Sequence, residues 1–97
     1  MTHVIFLDPA KDEMLKAAEY YDNFVVGLGD SFISEVKHTV QRIARNPKTG
    51  RIIRGHVRRM LVRRFPFGIL YCIEEEDIVI IAVMHFRRHP DYWSDRI

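Results

Sequence analysis

Val57-Arg58-Arg59-Met60-Leu61-Val62-Arg63-Arg64-Phe65-Pro66-Phe67-Gly68-Ile69-Leu70-Tyr71-Cys72-Ile73 is the stretch on which the fold turns. In Val57 to Phe65 the even positions read Arg58, Met60, Val62, Arg64 and the odd ones Val57, Arg59, Leu61, Arg63, Phe65. Each face is apolar in its middle and charged toward its ends, which is the two-residue period of a strand. Pro66 has no N–H for a ladder and ends that strand. Ile69 to Ile73 is a continuous apolar strand, expected to be covered on both faces. Glu74 to Asp77 then forms a hairpin loop. Ile78 to Met84 is the most strand-like run of the chain, and its unbroken apolarity predicts the centre of the sheet.

Upstream of Lys48-Thr49-Gly50 the period is 3.6. Val4 to Leu7 reads as a short strand, and Asp8-Pro9 as an N-cap followed by proline at the first helical position. Met14, Ala18, Tyr21 and Val25, widened by Leu15 and Phe24, make the apolar stripe of a first helix that runs to Gly27-Leu28-Gly29. Asp30 or Ser31 is placed to cap a second helix with a buried face of Phe32, Val36, Val40 and Ile43, ended by Asn46-Pro47. The order is strand, helix, helix, then three strands on short turns. Segregation of helices from antiparallel strands predicts an α+β fold, β-α-α-β-β-β, in one domain over residues 1–97. The helix hairpin should cover one face of a small antiparallel sheet and leave the other face and its rim for function.

Charge is distributed unevenly. Residues 1–36 hold two cations against seven acids, for −5; residues 37–64 hold eight arginines and two lysines with no acid, for +10. Glu74, Glu75, Glu76 and Asp77 return −4, and Arg87, Arg88 and Arg96 outweigh Asp91 and Asp95 by one. Arginine grips phosphate and carboxylate bidentately, so its excess suits recognition of a polyanion or an acidic peptide better than mere solubility. The single cysteine, Cys72, lies in an apolar run, which excludes a disulfide framework and a thiolate metal site. His3, His38 and His56 have no partners at metal-ligand spacing, so neither metal nor cofactor is expected. The N-terminal stretch lacks the basic start of a signal peptide and no run approaches the roughly 20 residues of a membrane span. A cytoplasmic protein is the expectation, with no membrane partner.

Several strings occur in one order: Ala18-Glu19-Tyr20-Tyr21, Gly27-Leu28-Gly29, Asn46-Pro47 with Gly50, Arg58 to Tyr71, and Ala82-Val83-Met84-His85-Phe86-Arg87-Arg88-His89-Pro90-Asp91-Tyr92-Trp93. With the order of elements they make the chain resemble the RelE/ParE superfamily of toxins from bacterial type II toxin-antitoxin systems, over essentially its whole length. The resemblance implies a growth-inhibiting toxin silenced by a cognate antitoxin, with operator DNA contacted only through the antitoxin. It leaves two activities open on one fold. RelE-like members cleave mRNA on the ribosome; ParE-like members poison DNA gyrase by protein contact.

For RNA cleavage the chain offers His85 as a titratable base, Tyr92 as a proton donor and Arg87 as a phosphate-holding cation, His85 and Arg87 sharing a strand face. Against it, RelE-like nucleases carry an arginine at the place that Gly68 occupies in Phe67-Gly68-Ile69-Leu70-Tyr71. That departure, and the Arg-Phe-Pro-Phe-Gly string, resemble the ParE side. The surface expected to bind target or antitoxin is Arg58, Arg59, Arg63, Arg64, Arg87 and Arg88, with Tyr92 and Trp93. Plainer roles stand beside these: His85 as a half-buried, hydrogen-bonded side chain, Tyr20 and Tyr21 as helix packing, and Tyr92 and Trp93 folded back on the sheet through a turn at Pro90.

Overall fold

The computed structural model describes residues 2–97. The chain runs β1 (Val4–Phe6), α1 (Asp8–Phe24), α2 (Leu28–Arg45), β2 (Arg51–Arg54), β3 (Val57–Leu61), β4 (Phe67–Glu74) and β5 (Asp77–His85), and closes with a 3-10 turn at Ser94–Arg96. The fold is α+β, with the strands in one sheet of order β1-β5-β4-β3-β2. Four strands run antiparallel in succession, while β1 pairs parallel to β5 with Val4 opposite Ile78, so the sheet is mixed.

The expected order lacked one strand. β2 is a four-residue edge whose two isoleucines sit between arginines, Ile52 facing water and Ile53 half-buried. Terminal charge on a short edge strand blunts pairing with other chains and also hides the strand's periodicity. The middle position belongs to β4, with β5 interior beside it rather than central. β3 stops at Leu61, four residues before Phe65, because Arg64 takes a positive φ of 71° and the chain turns back, Val62 N–H bonding Phe67 O at 2.9 Å. The acidic loop narrows to Glu75-Glu76, with Glu74 paired to Asp77.

α1 begins with Leu7 at the cap position, so Asp8 sits in the first turn, where its charge favours the helix dipole without capping by hydrogen bond. The stripe on α1 stops short of expectation. Ala10 and Ala18 are buried and Met14 and Tyr21 half-buried, whereas Leu15, Phe24 and Val25 are exposed as the chain leaves the helix in extended form. α2 starts at Leu28, ahead of Asp30 and Ser31. Gly27 makes the turn at φ 90°, and the cap comes from α1: Asp22 Oδ1 accepts the Gly29 N–H at 2.7 Å. A Cβ on Gly29 would overlap Ala18 O, so this glycine sets how closely the helices meet.

Phe32, Val36 and Ile43 of α2, with Val40 half-buried, press on Ile69, Tyr71, Ile78, Ile80 and Val83 to form the larger core. Tyr71 is wholly buried, donating its hydroxyl to Pro47 O at 2.7 Å and accepting the Gly50 N–H at 2.9 Å. Those two bonds tie the α2–β2 loop to the middle strand. The opposite face carries Val57, Leu70, Cys72, Val79, Ile81, Ala82 and Met84, and it is not left open as expected. The C-terminal segment folds back over part of it, and Trp93, 1% exposed, plugs it with Nε1–H donated to Pro90 O at 2.6 Å.

Candidate functional site

The predicted arginines separate once their contacts are read. Arg58 donates to Lys48 O at 3.0 Å and Gly50 O at 2.8 Å, so it clamps the α2–β2 loop rather than reaching a partner. Arg59 lays its stem across Gly68, whose added Cβ would stand 3.1 Å from Arg59 Cγ and Cδ. The position where a strand arginine is missing is therefore crossed by an arginine from the neighbouring strand. Trp93 is core, which removes it from the expected binding surface. Tyr92 is half-buried and carries the ring under the Arg88 guanidinium, 3.9 Å away.

Arg63, Arg64 and Arg87 remain exposed. The turn between β3 and β4 presents Arg63 and Arg64, and Phe86 N–H bonds Pro66 O at 3.0 Å. The connection after β5, which bears Arg87 and Arg88, thus abuts the β3–β4 turn at one end of the sheet. The positive φ of Arg64 turns its guanidinium toward Glu35 of α2, at 3.8 Å. Arg63 faces the C-terminal half of α2 across a cleft of about 380 Å³, lined also by Glu35, His38, Thr39, Gln41, Arg42 and Arg45. Arg42 and Arg45 were missed as site residues. They lie three apart on one helix face inside the basic block, but only the β3–β4 turn brings Arg63 to them.

The proton-transfer candidates are dispersed. His85 ends β5 edge-on to Phe67, and its Nδ1 accepts the Arg87 N–H at 3.0 Å. Arg87 lies beyond the strand, so the alternation that would place both on one face no longer applies. Tyr92 gives its hydroxyl to Glu13 at 2.5 Å. Burial, then that carboxylate, pushes the phenol well above its ordinary pKa.

Glu13 and Arg96 form a second cluster without any local sequence signal, since 83 residues separate them. β5 carries a register shift opposite Leu70/Tyr71 that puts Ile81 and Ala82 both on the tail-covered face. β1 ends at Phe6, and Glu13 and Arg96 supply partners for the strand beyond it. Glu13 Oε1 accepts Val83 N–H at 3.1 Å, and Arg96 donates to Ile81 O at 3.1 Å. The guanidinium also forks onto both Glu13 oxygens at 2.9 and 3.1 Å, the contact that chiefly raises the Arg96 pKa.

Among the described residues no group of three or more His, Cys, Asp or Glu is placed to hold a metal, and no helix is long and apolar enough to cross a membrane. The family model described as "ParE toxin of type II toxin-antitoxin system, parDE" matches residues 4–90. A solved structure titled "Chromosomal ParDE TA system from P. aeruginosa" is similar with a TM-score of 0.77 at 16% identity, over 88% of this chain and 96% of that one. No curated protein matches.

Proposed function

The chain belongs to the ParE toxin family of type II toxin-antitoxin systems, and from that premise we propose that it inhibits growth in the cytoplasm by binding and poisoning DNA gyrase. A cognate antitoxin neutralises it. An acidic antitoxin segment that folds on binding complements the rim of Arg63, Arg64, Arg87 and Arg88, and base-specific reading of operator DNA is left to the antitoxin.

The observation that carries protein contact over RNA cleavage is the placement of Tyr92. Metal-free cleavage of RNA needs a donor for the leaving oxygen as well as a base for the 2′-OH. The only candidate donor named from the sequence spends its hydroxyl on Glu13 and keeps its proton there. A protein poison needs neither group; exposed arginines suit contact with a protein partner, and the β3–β4 and post-β5 turns, joined by the Phe86 N–H to Pro66 O bond, supply them.

Expression of the chain alone, and with its antitoxin, tests this. The expected result is growth arrest with filamentation and a DNA-damage response while bulk mRNA stays intact, all relieved by the antitoxin. Rapid ribosome-dependent mRNA loss would transfer the chain to the nuclease mechanism.

A further inference from the structure

The cleft between α2 and Arg63 joins three guanidiniums. Arg42 and Arg45 come from the last turn of the helix and Arg63 from the β3–β4 turn. Among the described residues none of the three lies within ion-pair distance of a carboxylate. The one acid in the lining, Glu35, is already shared by Arg64 and His38, each at 3.8 Å. The helix dipole accounts for cations at the end of α2, at about 0.3–1 kcal/mol each, but not for a third brought in from the sheet. Like charges gathered on one cleft repel unless an anion bridges them.

We infer that this cleft binds the phosphodiester backbone of a nucleic acid, independently of sequence, with Arg63 shared between it and the rim that faces the enzyme the toxin attacks. The chemistry of the lining selects this over an acidic peptide. All its residues are polar or charged, with Gln41 and His38 as further hydrogen-bonding groups. A peptide that docks as a helix or strand is held by apolar anchors in pockets, and this cleft has no apolar side chain to receive one. A phosphate backbone needs only cations and donors, and guanidinium matches its oxygens bidentately. Lys16 and its i−4 partner Asp12 illustrate the contrast: that surface cation is neutralised within its own helix at 3.0 Å.

The test is fluorescence anisotropy of the full-length toxin with a labelled 20-base-pair duplex of mixed sequence, and in parallel with a single-stranded RNA of the same length. Three phosphate contacts on the duplex give a salt slope near −2.7, so affinity falls roughly 40-fold from 50 to 200 mM salt. Arg42→Gln/Arg45→Gln/Arg63→Gln should weaken binding at 50 mM salt more than about tenfold and flatten that slope. Lys11→Gln/Lys16→Gln/Lys48→Gln, which removes equal charge elsewhere, should leave both within about twofold. Should the triple arginine variant fold poorly, Arg63→Gln alone is expected to reduce the slope by about one. Duplex and RNA both held through these arginines would identify the backbone as the shared ligand. Equal weakening by the two triple variants, or capture of a poly-glutamate 20-mer when neither nucleic acid is bound, would overturn the assignment.

Discussion

Two charged clusters at the periphery of the molecule are built on opposite terms. Around Glu13 every donor has an acceptor: Arg96 forks onto the carboxylate, Tyr92 and Val83 N–H complete it, and Arg96 also satisfies Ile81 O. Both charged side chains are 16% exposed. Around Arg63 the arginines are exposed and outnumber the one carboxylate of the lining, Glu35, which already faces Arg64. Charge serves the fold in the first cluster and a partner in the second. A carboxylate and a guanidinium removed from water must satisfy each other, or their desolvation is uncompensated. Cations left in water and gathered together gain little for the folded chain beyond the helix dipole and are available to an external anion.

The comparison can be broken first at its structural side. Trp93→Ala leaves a void under the tail and strips the far sheet face of its plug, and should lower stability by about 4 kcal/mol in denaturant unfolding. A loss below about 1 kcal/mol would mean that the tail does not close this face. Glu13→Ala strands a half-buried guanidinium, the Val83 N–H and the Tyr92 hydroxyl, with an expected loss of about 3 kcal/mol. Glu13→Gln, which keeps acceptors on one oxygen only, should recover part of it. A smaller effect belongs to Tyr92 and appears only at alkaline pH. Its folded pKa lies above the ordinary 10.0, so below that value the phenol is protonated in both states and contributes no pH dependence. As pH rises further, the unfolded phenol ionises first and stability falls. Tyr92→Phe should remove that part of the alkaline decline, and an unchanged alkaline slope would refute the placement of its hydroxyl.

The sequence carries the fold far better than it carries these clusters. Phe32, Val36 and Ile43 on α2 are a local pattern that burial follows, whereas in β3 Val57 and Met60 are buried and Leu61, the apolar middle of one face, is exposed. β2 escaped because Ile52 and Ile53 between two arginines are too few to display a period. Asp22 as the cap of α2 escaped because it lies on the preceding helix, outside the usual cap position. In the candidate site, the basic stretch was visible but its division was not. Arg58 and Arg63 look alike in sequence, yet one is bound to two carbonyls and the other faces a cleft. The Glu13–Arg96 pair needs the register of β5 and the path of the tail, which no local spacing encodes.

Arg63, Arg64 and Arg87 are exposed cations at one end of the sheet, and on this account they act on the target. The most direct test is inhibition of DNA supercoiling by purified gyrase, comparing the toxin with Arg63→Gln/Arg64→Gln/Arg87→Gln after equal unfolding midpoints have been established. Surface substitutions of this kind should move stability by no more than about 0.5 kcal/mol each. The account predicts inhibition by the natural chain and at least a tenfold higher dose for the variant, or roughly 1.4 kcal/mol of lost binding. Equal inhibition by both, or no inhibition of gyrase by the natural chain, would contradict it.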